Sequence, residues 1–276
     1  MERIRLPKLL RTPSGVVGTL VLAAVVFIAL LGPAIAPHPP DEPIGLPGST
    51  PSSDALLGTD ELGRDVLSRL LHGGLTVLGL GIAAAVVAYG GGVTVGLLAG
   101  YNRRYLDAVL MRGVDVLLAF PALLFVLVFV TGAGSSWEVL VLAVGIVLMP
   151  GVSRVVRAAT LGVAVSGYVE AAEARGERTR WVLFREILPN IATPLLADFG
   201  LRFTWAIVLI ASVNFLGVGL SPPLSDWGLM VTENRQIISL NIWAVAAPAA
   251  LLALLTIAIN LVADAHVKAH SRSSAV

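Results

Sequence analysis

Six long apolar stretches constrain the fold of this chain more than any other feature. A helix needs about 20 apolar residues to cross about 30 Å of hydrocarbon. Backbone groups in lipid must find hydrogen-bond partners within their own segment, so we predict six helices and no strands. The third stretch is interrupted by Pro121 and the fourth by Pro150. The predicted spans are Val16–Ala36, Leu75–Ala99, Val114–Thr131, Val139–Val156, Ala197–Leu216 and Trp243–Ala263.

The composition also indicates a membrane protein and narrows its chemistry. Charged residues make up 13% of the chain, about half of the share that a soluble domain carries. The absence of cysteine excludes disulfides, thiolate metal sites and a cysteine nucleophile. Neither of the two lysines, Lys8 and Lys268, follows a glycine-rich loop, so the sequence has no P-loop for ATP. We therefore predict an all-α integral membrane protein with no ATPase or other catalytic site of its own.

The first apolar stretch imitates a cleavable signal peptide. Four cations precede it, and Ala34-Ile35-Ala36 ends it like a cleavage site. The stretch is longer than the usual signal core of about 7–15 residues. Pro37 would follow the cleavage site, where its fixed φ fits an extended protease groove poorly. We therefore expect an uncleaved first span.

The cations are concentrated in the termini and in alternate connections between the predicted spans. This distribution places the N-terminus inside by the positive-inside rule, and an even number of spans places both termini in the cytoplasm. The opposite connections hold Arg64, Arg69 and Arg235, and Arg202 lies within the fifth span. The cations on the predicted cytoplasmic side are Arg3, Arg5, Lys8, Arg11, Arg103, Arg104, Arg112, Arg154, Arg157, Arg175, Arg178, Arg180, Arg185, Lys268 and Arg272.

These spans divide the chain into five parts in the cytoplasmic membrane. The predicted parts are a cytoplasmic N-terminal segment (1–15), a first transmembrane helix (16–36), an extracytoplasmic loop with an amphipathic helix (37–74), a core of five transmembrane helices (75–265) and a cytoplasmic tail (266–276).

The extracytoplasmic loop contains a segment with helical periodicity between Gly58 and Gly73. Thr59 can cap such a helix, the acids after it suit the positive N-terminal end, and Gly73 can end it. Periodicity alone favours an amphipathic helix at the membrane interface. The functional alternative is contact with an extracytoplasmic partner.

The longest predicted cytoplasmic loop covers about residues 153–194. Glu170 to Arg175 favour a short helix that Gly176 can end, and Trp181, Val182 and Phe184 follow as apolar anchors. A solvated linker with charge pairs would explain the arginines but not the bulky apolar residues. The pattern is suited to docking on a cytoplasmic partner.

The residues of this loop resemble the EAA loop of permease subunits of bacterial ATP-binding-cassette importers. That family pattern has EAA, three residues, glycine, nine residues and then Ile-x-Leu-Pro. Glu186 stands where the pattern has isoleucine, a variation that the dipeptide/oligopeptide/nickel branch tolerates. The matching residues are Glu170, Ala171, Ala172, Gly176, Leu188 and Pro189.

Three further blocks resemble the same branch, so the similarity covers about residues 15–265. Asn214 replaces the usual serine of the third block. The blocks are Gly58-Thr59-Asp60 with Gly63-Arg64-Asp65 and Ser68-Arg69; Asp115 with Ala119-Phe120-Pro121; and Asn214–Leu220 with Pro222-Pro223 and Trp227-Gly228.

The resemblance implies a type I importer permease fold with six transmembrane helices. It also implies a second, homologous permease subunit, an extracytoplasmic solute-binding protein and two ATPase subunits that dock on the EAA loops. ATP and magnesium would be used by the ATPases, and this chain would bind neither cofactors nor nucleic acid. The solute could be a dipeptide, an oligopeptide, a glutathione-like molecule or a nickel chelate.

Polar residues within or near the spans have simpler explanations than catalysis. Asp198 and Arg202 are four residues apart and can pair within one helix, and Arg112 and Asp115 can pair similarly. Asn214 can hydrogen-bond between helices or line a polar pathway, as can Asn260. The histidines form no metal-ligand pair within a span, and no Ser/His/Asp arrangement occurs.

Two other classes of membrane protein fit less well. A secondary transporter driven by an ion gradient commonly has internal repeats and acids near the midplane. We see no convincing repeat, and the acids lie near the ends of the spans. An intramembrane enzyme would need a catalytic constellation that the sequence lacks.

Overall fold

The structure is a computed structural model that describes residues 13–102 and 105–271, with side chains up to residue 265. The regular secondary structure of the described residues is helical, with π-helical turns at Val182–Ile187 and a 3-10 turn at Arg235–Ile237, while residues 36–65 and 216–226 form irregular connections. The α-helices are α1 (Pro13–Ile35), α2 (Val66–Tyr101), α3 (Tyr105–Leu118), α4 (Ala122–Ala133), α5 (Trp137–Val163), α6 (Gly167–Ala174), α7 (Thr179–Trp181), α8 (Leu188–Asn190), α9 (Ala192–Phe215), α10 (Trp227–Asn234) and α11 (Trp243–Ser271).

Five of these helices, α1, α2, α5, α9 and α11, are each long and apolar enough to cross a membrane. Helices α3 and α4 give a sixth span if the pair is counted as one, but they bend by 85°. A continuous third span over Val114–Thr131 is therefore wrong. Pro121 lacks an N–H and disfavours helical backbone at the residue before it, which accounts for the break. Pro150, by contrast, lies inside α5 without ending it.

The second predicted span and the helix before it are one element. Helix α2 begins at Val66, continues through Gly73 and ends at Tyr101, so the separate amphipathic helix predicted from Thr59 to Gly73 is wrong. The N-cap is Asp65, whose carboxylate accepts hydrogen bonds from the backbone N–H groups of the first turn. Thr59 instead donates to the Leu46 carbonyl, 2.6 Å away, within an irregular turn.

The α2–α5 contact forms the centre of the bundle. Glycines spaced four residues apart on α2 face α5 and allow the two backbones to approach closely. A Cβ at Gly96 would lie 2.6 Å from Val156 Cβ. Because Gly92 faces Val152 and Gly100 faces Thr160, the two helices run in the same direction.

Helix α2 connects the two ends of the molecule. Its 36 residues span about 54 Å at about 1.5 Å per residue. Arg69 lies in its first turns and contacts Asp60. At the other end, the Tyr101 hydroxyl donates to Glu173 of α6 over 2.6 Å. We call these the Asp60 end and the Glu170 end.

The other observed helix boundaries differ modestly from the predicted ones. Helix α5 extends to Val163, so Arg154 and Arg157 belong to it and the connection predicted over 153–194 is shorter. Residues 1–12 of the predicted N-terminal segment and residues 272–276 of the predicted tail lie outside the described residues, as do Arg103 and Arg104 and the side chains of His266, Lys268 and His270. Helix α11 continues through the first six residues of the predicted tail.

Candidate functional site

The short helix α6 presents the EAA residues at the Glu170 end. Ala172 is buried against the bundle, whereas Glu170 and Ala171 are exposed. Gly176 has a φ of +76° and ends the helix, and its N–H donates to the Glu173 carbonyl over 2.9 Å. The predicted end of the helix at Gly176 is confirmed, and the positive φ accounts for a glycine at this position. Close backbone approach is not the reason for this glycine, since a Cβ there would meet nothing within 4 Å.

The second half of the loop, residues 179–190, is anchored by one face. Val182, Leu183 and Ile187 are buried. Phe184 is 58% exposed, so its predicted role as an anchor is wrong. The local sequence could not show this, because the π-helical turns at Val182–Ile187 change which side chains share a face. Leu188 is half-buried and Pro189 is exposed.

An apolar cavity of about 370 Å³ lies between this loop, α2 and α9. Phe184, Leu188 and Pro189 line it from the loop, and Tyr89 and Phe199 line it from the helices. The outward-facing part of the loop therefore continues into an apolar depression that the chain does not fill.

Most charged side chains in the described part of the loop are exposed and make no ion pair within the chain. The one ion pair within the described part of the loop joins Arg175 and Glu177 at 3.9 Å. Among the described residues, Glu170, Arg178 and Arg180 make no ion pair, although all three are exposed. This surface combines exposed charge, exposed Phe184 and a rigid buried anchor.

The acidic residues of α9 and α3 form ion pairs. The predicted Asp198–Arg202 pair is confirmed at 3.1 Å, and the Tyr89 hydroxyl also donates to Asp198 over 2.9 Å. The predicted Arg112–Asp115 pair is wrong. Asp115 instead contacts Arg154 at 2.7 Å, because α3 packs beside α5 and brings that guanidinium within reach.

At the Asp60 end, four charged residues form a buried cluster that we call the outer quartet: Asp60, Arg64, Arg69 and Glu233. Asp60 Oδ2 lies 2.6 Å from Arg64 Nε and 2.8 Å from Arg69 Nη1. Glu233 Oε2 lies 2.6 Å from Arg69 Nη1 and 3.4 Å from Arg64 Nη2. Both Asp60 and Arg69 are completely buried. Sequence reasoning missed Glu233, because the segment around the two arginines already contains three acids and gave no signal of a distant one.

The other signature residues at this end also face inward. Gly58 and Gly63 have φ values of +72° and +78° and form the turn around Thr59 and Asp60. Asp65 is buried beneath the turn, where its Oδ2 accepts from the Ser68 hydroxyl over 2.6 Å. The segment is therefore a folded turn stabilised from within, and Arg64 and Asp65 are not on the surface to meet a partner.

Asn214 is a structural hydrogen-bonding residue of this end. Its Nδ2 donates to Asp226 Oδ1 over 2.9 Å, and its Oδ1 accepts from the Leu220 N–H at the same distance. Asp226 also caps α10 by accepting from the backbone N–H groups of Gly228 and Leu229. Burial raises the pKa of the Asp226 carboxyl above its ordinary value, and these hydrogen bonds oppose that rise.

Asn260 makes a different contact. Its amide donates to the Thr256 carbonyl within α11 over 2.8 Å. The two asparagines are therefore not brought together. Of the two interpretations left open, a contact to another element holds for Asn214, whereas the bond of Asn260 stays within its own helix.

A larger cavity of about 530 Å³ lies beside α10, between α9 and α11. Gly228 and Val231 line it from α10, Phe215 lines it from α9, and Thr256 lines it from α11. Most of its lining is apolar. Among the described residues, no group of three or more His, Cys, Asp or Glu is placed to hold a metal ion.

Two family profiles match the sequence. The profile described as binding-protein-dependent transport system inner membrane component matches residues 92–275. The profile described as N-terminal TM domain of oligopeptide transport permease C matches residues 5–52.

Curated relatives are similar over most of the chain. The di/tripeptide transport system permease protein of Pseudomonas aeruginosa (strain UCBPP-PA14) is 37% identical over 256 residues, which cover 90% of this chain and 84% of the relative. The dipeptide transport system permease protein of Escherichia coli (strain K12) is 37% identical over 92% of this chain and 87% of its own. The glutathione transport system permease protein of Pectobacterium atrosepticum is 38% identical over 78% and 71%.

Proposed function

Because this chain belongs to the family of binding-protein-dependent transport system inner membrane components, it is a permease subunit of an ATP-binding-cassette importer, and we propose that its solute is a peptide. The names of relatives that transport dipeptides, tripeptides and glutathione support a short peptide or a peptide-like molecule. A secondary transporter driven by an ion gradient is not supported.

We propose that the Glu170 end faces the cytoplasm and that both termini do so as well. The exposed arginines of the loop support this orientation, because the positive-inside rule counts cations near the membrane. Arg64 and Arg69, which lie at the opposite end of the molecule, are instead buried in the outer quartet. The chain has no cysteine, so a single cysteine at Ser53 or at Thr179 gives a clean test. In intact cells an impermeant thiol reagent should label the cysteine at Ser53 and spare the one at Thr179; the reverse would contradict the orientation.

The site on which the function depends is the exposed surface of α6 and residues 179–190. We propose that an ATPase subunit docks there, with one on this permease and one on a homologous second permease. The observation that carries this proposal is the combination of a buried anchor with unpaired exposed charge at Glu170, Arg178 and Arg180. This chain would bind neither ATP nor magnesium itself.

Uptake into reconstituted vesicles tests the proposed function. With the binding protein and the ATPases present, a labelled dipeptide should accumulate when ATP is supplied on the side of the membrane that carries the ATPases. Accumulation should persist after the proton gradient is collapsed. Competition with unlabelled tripeptide, glutathione and a nickel chelate then orders the solutes. Uptake that follows the proton gradient and ignores ATP would contradict the proposal.

A further inference from the structure

The outer quartet places four charges where charge is expensive. The side chains of Asp60 and Arg69 are 0% exposed, that of Arg64 is 4% exposed and that of Glu233 is 7% exposed. Two guanidinium groups balance two carboxylates, so the cluster is neutral as a whole. Removing one member leaves an uncompensated buried charge, whereas removing one of each sign leaves a balanced pair.

The quartet joins elements that are distant in sequence. Asp60 belongs to the turn before α2, Arg69 to the first turns of α2, and Glu233 to the end of α10. Both acid contacts of Arg69 pass through Nη1, because its Nε and Nη2 have no hydrogen-bond partner among the described residues. Arg69 Nη1 therefore makes the shorter of the two contacts that join Glu233 to the turn, and Arg64 Nη2 makes the longer one at 3.4 Å.

Two other contacts fix α10 in the same place. At the start of the helix, Trp227 Nε1 donates to the Leu70 carbonyl of α2 over 2.7 Å. At its end, Asn234 Oδ1 accepts from the Glu61 N–H over 2.9 Å. The helix is thus held against α2 and the turn along its length.

The opposite face of α10 borders the larger cavity. Gly228 and Val231 line that cavity and are three residues apart, so they share one face. Glu233 is two residues beyond Val231, which turns it about 200° around the helix at 3.6 residues per turn. Glu233 therefore does not line the cavity, and it can influence the cavity wall only through the position of α10.

We propose that Arg69 and Glu233 are positioning residues for transport, and that their contact holds α10 as the wall of the 530 Å³ cavity through which the solute pathway opens. This assignment of a pathway rests on the proposed function. The positioning of α10 by the outer quartet does not.

Thiol labelling tests the positioning directly. The chain has no cysteine, so Val231→Cys provides one reporter in the cavity wall. The labelling rate by a small maleimide should change at least 5-fold when Arg69→Met or Glu233→Leu is added. The matched control is Arg235→Gln, which removes an exposed charge next to α10 and should leave the rate unchanged.

The double variant Arg69→Met/Glu233→Leu separates positioning from folding. It leaves Asp60 and Arg64 as a balanced pair, so its abundance in the membrane should return to that of the parent protein even if the single variants fold poorly. We expect its labelling rate to stay altered at least 5-fold and its apparent KM for peptide uptake to rise at least 5-fold, with a smaller change in maximal rate.

Restoration of both labelling and KM in the double variant would overturn the proposal, since the quartet would then be needed only for stability. Labelling requires no solute, so it still tests the positioning of α10 if peptide uptake is absent in the parent protein. In that case the proposed solute fails and the positioning is judged from labelling alone.

Discussion

The two ends of the bundle use the same kinds of charged residue in opposite ways. At the Asp60 end, arginines and acids are buried and pair with each other inside the chain. At the Glu170 end, Glu170, Arg178 and Arg180 are exposed and make no ion pair among the described residues. The charges at the Asp60 end therefore have their partners within the chain, whereas those at the Glu170 end remain open to solvent or, as we propose, to an ATPase subunit.

This difference predicts which property each set of substitutions changes. Breaking a buried ion pair by removing one partner costs about 3–5 kcal/mol, whereas an exposed pair contributes about 0–1 kcal/mol. Substitutions at the Asp60 end should therefore change stability first. Those at the Glu170 end should change coupling to the ATPase while the fold persists.

The largest effect is expected at Asp60, because its carboxylate accepts from both arginines of the outer quartet and from the backbone N–H groups of Leu62 and Arg64. Asp60→Asn should destabilise the protein by about 3–5 kcal/mol and lower its abundance in the membrane. Thermal unfolding in detergent measures this. The control is Asp54→Asn, which neutralises an exposed acid of the same loop; equal melting temperatures in the two variants would refute the importance of burial.

An intermediate effect is expected at Asp226, which is buried at the same end but outside the quartet. Asp226→Ala removes the cap of α10 and leaves the buried Asn214 Nδ2 without its acceptor, so it should cost about 2–3 kcal/mol. Asp226→Asn keeps an oxygen that can accept the capping bonds and removes a charge whose burial already raises the pKa, so it should be at least as stable as the parent. The melting temperatures of the two variants separate the contribution of the capping hydrogen bonds from that of the charge. A larger loss for Asn than for Ala would show that the charge itself is required.

The smallest effect on stability is expected at the Glu170 end. Arg178→Gln removes an exposed charge that makes no ion pair among the described residues, so the thermal unfolding midpoint should not change. Affinity for the ATPase subunit, measured by co-purification at increasing salt, should fall and become less dependent on salt. An unchanged salt profile would remove Arg178 from the docking surface.

Sequence reasoning succeeded where local signals decide the structure. The apolar lengths predicted five of the six spans as helices, and Gly176 predicted the end of α6 because a positive φ is a local requirement. Pro121 gives a local signal of the break between α3 and α4, but the length of the apolar stretch favours a continuous span across it.

The remaining features depend on contacts between distant residues. Glu233 lies 164 positions from Arg69, so no local pattern could place it in the outer quartet. The start of α2 at Val66 depends on a turn that buries Asp60 and leaves Asp65 as the cap. Likewise, Asp115 pairs with Arg154 only because α3 and α5 pack together.

The central claim is that the Glu170 end couples this permease to a separate ATPase. Gly176→Val forces a residue with a side chain into a φ of +76°, which costs about 1–2 kcal/mol and misplaces the loop after α6. Glu170→Lys reverses an exposed charge on the same surface. The matched control is Gly162→Val in α5, outside the proposed docking surface, where the new Cβ also meets nothing within 4 Å but the backbone has no positive φ.

The deciding measurement is the ATPase rate of the complex reconstituted in membranes, with and without solute-loaded binding protein. All three variants should insert normally. Gly176→Val and Glu170→Lys should lose the stimulation by loaded binding protein, and Gly162→Val should keep it. Full stimulation in both Gly176→Val and Glu170→Lys would show that the loop is a passive connection and that coupling occurs elsewhere in the chain.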